Sequence, residues 1–209
     1  MQTPDFIRLF PSYVARVRAS DPLRGTIGRG LLATLEELRA GRPDLAWGEV
    51  WQSPHGLHRL AAMQPLVAYA SESAGGVLDY LKIPARALSF TGCWANLAGP
   101  GAEVKMHAHP NNFLSGVYYV QVQPGAETIN FHDPRPQTAI LRPPVTELTA
   151  YNTDQVVVPV EIGTLLLFPA WLPHSVSANR SERPRISVSF NLMFEDFAET
   201  MGAPLWGDR

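Results

Sequence analysis

The sequence predicts a mainly β, α+β protein of one domain, a β-sandwich or barrel with helices laid over one of its sheets. Three observations lead there. From about residue 86, short runs rich in β-branched and aromatic residues follow one another. Turn signals separate these runs, and the residues before them carry helical rather than alternating apolar spacing. At 209 residues the chain is long enough to bury a substantial core.

The elements follow in order. In "TIGRGLLATLEELRAG", residues 26–41, Leu31, Leu35 and Leu38 recur at helical spacing, with Thr26 placed to cap the start and Gly41 to end it. "QPLVAYASESAGGVLDYLK", residues 64–82, reads as a second helix with Pro65 in its first turn, although the Gly75-Gly76 pair lowers its propensity. The strand candidates are "RALSFTGCWANL", "FLSGVYYVQV", "AETINF", "DQVVVPV", "GTLLLF" and "RISVSFNLMF". Gly99-Pro100-Gly101, Pro124-Gly125, Asp133-Pro134 and Gly163 supply the turns between them. "DPRPQTAILRPP" reads as a long surface loop. One domain then divides into a mostly helical support region over residues 1–85, a strand core over 86–198 and a tail over 199–209.

Composition excludes some classes of function. Hydrophobic residues make up 45% and charged residues 17%, as in ordinary globular proteins. A formal charge of -2 gives no general field for nucleic acid or an anionic membrane. The single Cys93 forms no internal disulfide, the N-terminal residues lack the apolar stretch of a signal peptide, and no window approaches a membrane span. A cytoplasmic protein is expected. Trp47, Trp51, Trp171 and Trp206 are expected to pack in the core or at its edges rather than line a cleft.

The chemistry centres on "KMHAHPNNFLSGVYYV", residues 105–120. His107 and His109 are two apart, which on a strand points both imidazoles to one face. A third metal ligand then has to come from a distant strand, and His174 in "LLLFPAWLPHSVS" follows a buried-looking one. A packed or surface role remains the competing reading of each histidine. His55, His58 and His132 lack such context and read as exposed or hydrogen-bonding residues. In "RPRISVSFN", Arg185 and Ser187 share one strand face and present a guanidinium fork beside a hydroxyl, a pair suited to a carboxylate. One of Tyr118 and Tyr119 in "VYYV" faces inward beside them.

The order of "HAH", "SGVYYV", "GTLLLFPAWLPHSV" and "RISVSFN" resembles the double-stranded β-helix, a jelly-roll and cupin-like core, of iron(II)/2-oxoglutarate-dependent oxygenases, nearest the prolyl 4-hydroxylase type. The likeness covers roughly residues 86–196, and "WQS" at 51–53 and "CWANL" at 93–97 share it. The resemblance implies iron(II) as the metal and 2-oxoglutarate as cosubstrate. It makes His107 and His174 metal ligands, with His109 at the position two residues on. Arg185 and Ser187 would hold the far carboxylate of 2-oxoglutarate, with Tyr119 hydrogen-bonded to it. Asn96 would reach the same pocket, and Arg183 is the reserve anchor.

The departure lies at His109, since most relatives place a carboxylate there. His109 ligates, or it stands aside, or Asp133 in "NFHDPR" supplies the missing acid; ligation by His109 is the expectation. The implied activity is a dioxygenase that hydroxylates a small-molecule or peptide substrate with O2. Two other readings remain open. One is a three-histidine metalloenzyme of cupin type that does not use 2-oxoglutarate. The other is a β-sandwich binding module with no activity.

Overall fold

A computed structural model describes residues 4–84, 87–135, 143–149 and 151–196. In chain order the elements are β1 (Ala15–Arg18), α1 (Asp21–Arg39), β2 (Val50–Gln52), two 3₁₀ turns (Leu57–Arg59 and Ala61–Met63) and α2 (Gln64–Tyr80). The strands β3 (Leu88–Ala98), β4 (Val104–His107), β5 (Leu114–Gln121), β6 (Thr128–His132) and β7 (Gln155–Pro159) follow. β8 (Thr164–Pro169), β9 (His174–Val176) and β10 (Arg185–Phe194) complete the fold. Two antiparallel sheets result, a six-stranded one in the order β1-β8-β5-β10-β3-β2 and a four-stranded one in the order β4-β9-β6-β7. None of the helices among the described residues is long and apolar enough to cross a membrane.

Alternation along the strands sorts every side chain of the large sheet between two surroundings. Cys93, Ala95 and Leu97 of β3, Tyr118 and Val120 of β5, Leu165 and Leu167 of β8, and Ile186, Val188 and Phe190 of β10 face the helices. There they meet Ile27, Leu31 and Leu35 of α1 and Leu66, Ala70, Ala74 and Val77 of α2. The other face packs Val117, Tyr119, Leu166 and Phe168 against Ile129 and Phe131 of the small sheet. Tyr118 and Tyr119 therefore part company: the first lies under the helices, the second between the sheets.

The six strand candidates and both helices are present, and four further strands join them. β1 and β2 lie in the stretch expected to be helical, and each forms an edge of the large sheet, β1 on β8 and β2 on β3. Segments of four and three residues carry too little periodicity to read, so their pairing partners decide them. β4 and β9 are as short, and they pair with each other, with His107 opposite His174. Helix α1 starts at Asp21 rather than at Thr26. Ser20 occupies the N-cap position with extended backbone, Pro22 stands in the first turn, and the Thr26 hydroxyl donates to the Pro22 carbonyl inside the helix. Gly41 does follow the helix end, with φ of 74°.

The tryptophans divide. Trp51 packs against the helical core beneath the Arg39 guanidinium, 5.3 Å above its ring. Trp47 and Trp171 instead stand 81% and 55% exposed, against the expectation of packing. Trp206 and residues 136–142 of the Pro-rich loop lie outside the described residues.

Gly116 shows how tightly the helix-facing side is filled. It sits opposite Phe190 on β10, and a Cβ there would land on the fully buried Phe190 ring. Gly116→Ala is expected to lower stability by about 1–3 kcal/mol through overpacking. Gly28→Ala, where a Cβ meets nothing within 4 Å inside α1, is expected to cost nothing. Thermal unfolding of both variants checks this, and equal melting temperatures for Gly116→Ala and the unaltered chain would contradict the packing described.

Candidate metal centre

The small sheet carries the histidines because β4 and β9 are neighbours. His107 ends β4, and His174 opens β9 directly across from it, so two residues 67 positions apart become a cross-strand pair. His109 lies just past the end of β4, where its backbone N–H donates to the Ala170 carbonyl, 2.9 Å away. That bond folds the third imidazole back over the other two. Ring centroids are 4.3 Å apart for His107 and His174, 5.0 Å for His107 and His109, and 5.2 Å for His109 and His174. One potential ligand nitrogen from each ring lies within 4.8 Å of the others.

The tautomers of two rings are set by the backbone. His107 Nδ1 is 2.8 Å from the Lys105 carbonyl, and His174 Nδ1 is 3.0 Å from the Leu172 carbonyl. A carbonyl only accepts, so each Nδ1 carries the proton and each Nε2 keeps its lone pair. Burial also disfavours the imidazolium. It lowers the pKa of His174 to about 4, although the hydrogen bond to Leu172 opposes the shift. Burial, with His107 nearby, lowers that of His109 to about 4 as well. Neutral imidazoles with free nitrogens are the form that binds a metal.

The three rings line a narrow, partly open cleft between the two sheets. Its floor is the inward face of the large sheet. β10 contributes Arg185, Ser187 and Ser189, β5 contributes Ser115 and Tyr119, and β3 contributes Trp94 and Asn96. Arg185 is only 4% exposed, and its Nε finds no hydrogen-bond partner. Burial lowers its pKa, while the nearby Tyr119 phenol acts in the opposite direction. Burial pushes the Tyr119 hydroxyl up to about 12, and the Arg185 charge opposes this. Cross-strand pairing sets Ser187 beside both Tyr119 and Asn96. Among the described residues, the lining contains no carboxylate. A guanidinium charge is thus held in the interior without an acid among the described lining residues to balance it.

Other expected residues fall elsewhere. Arg183 is exposed and does not line the cleft, so the reserve anchor stands outside it. The Asp133 carboxylate is engaged by Arg135 at 2.6 to 3.2 Å, which holds its pKa below the usual range. It is not one of the clustered metal-ligand candidates, which are the three histidines. Asn96 lines the cleft, but its amide is spoken for: Gln52 donates to its Oδ1 at 2.8 Å, and its Nδ2 donates to Ser189 at 2.9 Å. His55 stacks on Trp94 at 4.5 Å, His58 stacks on Phe90 at 5.7 Å, and His132 bonds the Ser175 hydroxyl at 2.8 Å.

Two residues at the site escaped the sequence reading. Asn191 Nδ2 lies 3.4 Å from His109 Nδ1, and the Ser115 hydroxyl lies 2.7 Å from Asn191 Oδ1. Both stood within motifs already quoted. Counting by two from Arg185 and Ser187 reaches Asn191, and counting back by two from Tyr119 reaches Ser115.

Residues 92–191 match the family model described as "Putative 2OG-Fe(II) oxygenase". No curated protein matches the sequence. Similar solved structures include the epimerase SnoN of nogalamycin biosynthesis in complex with Fe3+ and alpha ketoglutarate, with a TM-score of 0.60 and 19% identity over 88% of this chain and 79% of that one. A Pseudomonas putida prolyl-4-hydroxylase has a TM-score of 0.57 and 17% identity over 88% and 94% of the two chains. HygX from Streptomyces hygroscopicus, with nickel and 2-oxoglutarate bound, has a TM-score of 0.61 and 11% identity over 88% and 83%. At these identities the likeness is one of fold, the double-stranded β-helix.

The low pKa values of His109 and His174 have a consequence for the metal-free fold. In the unfolded chain an imidazole takes up its proton near pH 6.5; in the fold these two resist until about pH 4. Between those values the unfolded state binds more protons, so stability present above pH 6.5 is lost as pH falls towards 4. The melting temperature of the metal-free protein is expected to drop across that window, and to drop less for His174→Gln. A flat melting temperature between pH 6.5 and 4.5 would contradict it.

Proposed function

We propose that the chain, whose residues 92–191 match the 2OG-Fe(II) oxygenase model, is an iron(II)- and 2-oxoglutarate-dependent oxygenase in which His107, His109 and His174 hold the iron while Arg185 anchors the 2-oxoglutarate. The observation that carries this reading is the pairing of three clustered imidazoles with a buried, unbalanced guanidinium in one cleft. The donor set suits a divalent first-row metal, since neutral imidazole nitrogens are good ligands for iron. When bound, iron(II) with 2-oxoglutarate supplies the oxidising power that O2 alone lacks towards a C–H bond.

The protein's own residues do the rest. Arg185 offers its planar fork to the far carboxylate of the cosubstrate, and interior burial makes each charge-assisted hydrogen bond worth about 1.5–3 kcal/mol. Ser187, on the same strand face, and Tyr119, across from Ser187, stand beside it to donate further bonds. Phe168, Val117 and Ile129 line the cleft and keep water from the guanidinium. Three neutral ligands bring no negative charge to the cation. Two positive centres at one cleft then favour a dianion over a monoanion.

Trp94, which lines the cleft, and the His55 stacked on it form an aromatic wall near His109. A small molecule or a peptide segment, together with O2, is the substrate class we assign. A cupin-type reaction without 2-oxoglutarate would leave Arg185 to bind the substrate's own acid.

Succinate release from 2-oxoglutarate in the presence of Fe(II) tests the reading. The unaltered chain is expected to release succinate. Arg185→Gln is expected to weaken 2-oxoglutarate binding about 10- to 100-fold, the loss of one or two charge-assisted bonds, while Arg183→Gln leaves it unchanged. No 2-oxoglutarate binding to the iron-loaded protein by calorimetry, or equal effects of the two arginine variants, would contradict it.

A further inference from the structure

His107 and His174 owe their tautomers to main-chain carbonyls two residues back, Lys105 and Leu172. No substitution at those positions removes a carbonyl, so the device is built into the strand ends. His109 differs. Its Nδ1 meets a side chain, the Asn191 amide at 3.4 Å, and that amide is held from its other end by the Ser115 hydroxyl at 2.7 Å. Asn191 and Ser115 are cross-strand neighbours on β10 and β5, and both are buried, at 8% and 2% exposure. The three groups form a closed relay from the sheet floor to the ring.

An amide can face a ring nitrogen in two ways. With Nδ2 toward His109, Asn191 donates to Nδ1, which forces the proton of the neutral ring onto Nε2 and leaves the ring no free lone pair. A half-turn about the terminal torsion exchanges nitrogen and oxygen at almost no change of shape. Then Oδ1 accepts from Nδ1–H, Nδ2 donates to the Ser115 oxygen, and Nε2 keeps a free lone pair. Ser115 serves either state, because a hydroxyl both donates and accepts. Every hydrogen bond is kept, and only the second orientation makes His109 a ligand.

We propose that Asn191, seated by Ser115, is the positioning residue that fixes His109 as its Nδ1–H tautomer and so completes the three-imidazole site. The inference rests on His109 being a metal ligand. Asn191 acts through His109 and is not itself in contact with the reacting atoms. Partners of ligand imidazoles elsewhere change metal affinity about 10- to 100-fold when removed, and the same range is expected here.

Two readouts test it, and neither needs turnover. The first is long-range ¹H–¹⁵N NMR of the metal-free, full-length chain, with the His109 signals identified by their loss in His109→Gln. The unaltered protein is expected to show His109 protonated at Nδ1; protonation at Nε2 would overturn the proposal without any Asn191 or Ser115 variant having to fold. The second is titration with Co(II) alone, a redox-stable probe, followed by its visible bands. Asn191→Leu keeps bulk but loses the acceptor, and is expected to bind Co(II) about 10- to 100-fold more weakly. Asn191→Asp keeps an acceptor for Nδ1–H, which Ser115 can still hold, and is expected to bind at least as tightly as the unaltered chain. Ser115→Ala frees the amide to turn and is expected to fall between them. Wild-type affinity in Asn191→Leu, or equal losses in the Leu and Asp variants, would overturn the proposal. If His109→Ala binds Co(II) as tightly as the unaltered chain, His109 is not a ligand; the reading beneath the proposal then fails, a result the NMR tautomer alone would not give.

Discussion

The structure depends on one charge held where charges are expensive. Arg185 sits inside the sandwich, its Nε without a partner and the described lining of its cleft without an acid. An uncompensated interior charge costs several kcal/mol even after relaxation. The chain tolerates that cost because Arg185 starts β10, the strand paired on one side with β3 and on the other with β5. Anchored by two ladders, the backbone keeps the guanidinium from swinging out to water. The proposed cosubstrate carboxylate would supply the counter-charge that the described lining lacks.

The rest of the fold serves to keep that cleft open on one side of a sheet and closed on the other. Strand alternation sends Ile186, Val188 and Phe190 to the helices and Arg185, Ser187, Ser189 and Asn191 to the interior between the sheets. The helices therefore do more than cover a surface. They take up the apolar half of β10, which leaves the polar half to line the cleft. The small sheet faces that polar ladder with His107 and His174, and His109 follows just past β4, so the proposed metal ligands and the proposed acid anchor come from opposite walls. The Ser115–Asn191–His109 relay is one direct hydrogen-bonded link between the two.

Legibility in the sequence followed the length and periodicity of each segment. Eight- to eleven-residue strands such as β3, β5 and β10 announce themselves by β-branched and aromatic runs bounded by turns. Ala15–Arg18 and Val50–Gln52 do not, because three or four residues become strands only when a partner edge is waiting. The start of α1 was signalled by Ser20, Asp21 and Pro22, a stronger set than the Thr26 that stood nearer the leucines. At the site, Arg185 and Ser187 could be paired from spacing alone, and the two-residue step from His107 to His109 was equally visible. What spacing does not carry is the third dimension. The meeting of His107 and His174 needs the β4–β9 pairing, the removal of Asp133 follows from its contact with Arg135, and the outward turn of Trp47 and Trp171 belongs to loops without periodicity.

The most direct measurement of the central claim compares two keto acids on the iron-loaded protein without oxygen. Both 2-oxoglutarate and pyruvate offer the same keto acid end, and only the former has a second carboxylate to meet Arg185. Anaerobic titration, followed by the visible charge-transfer absorption of an iron-bound keto acid, is predicted to saturate with 2-oxoglutarate at concentrations at least about tenfold below those for pyruvate, the worth of one charge-assisted hydrogen bond. Equal saturation by the two, or no absorption change with either, would contradict the account.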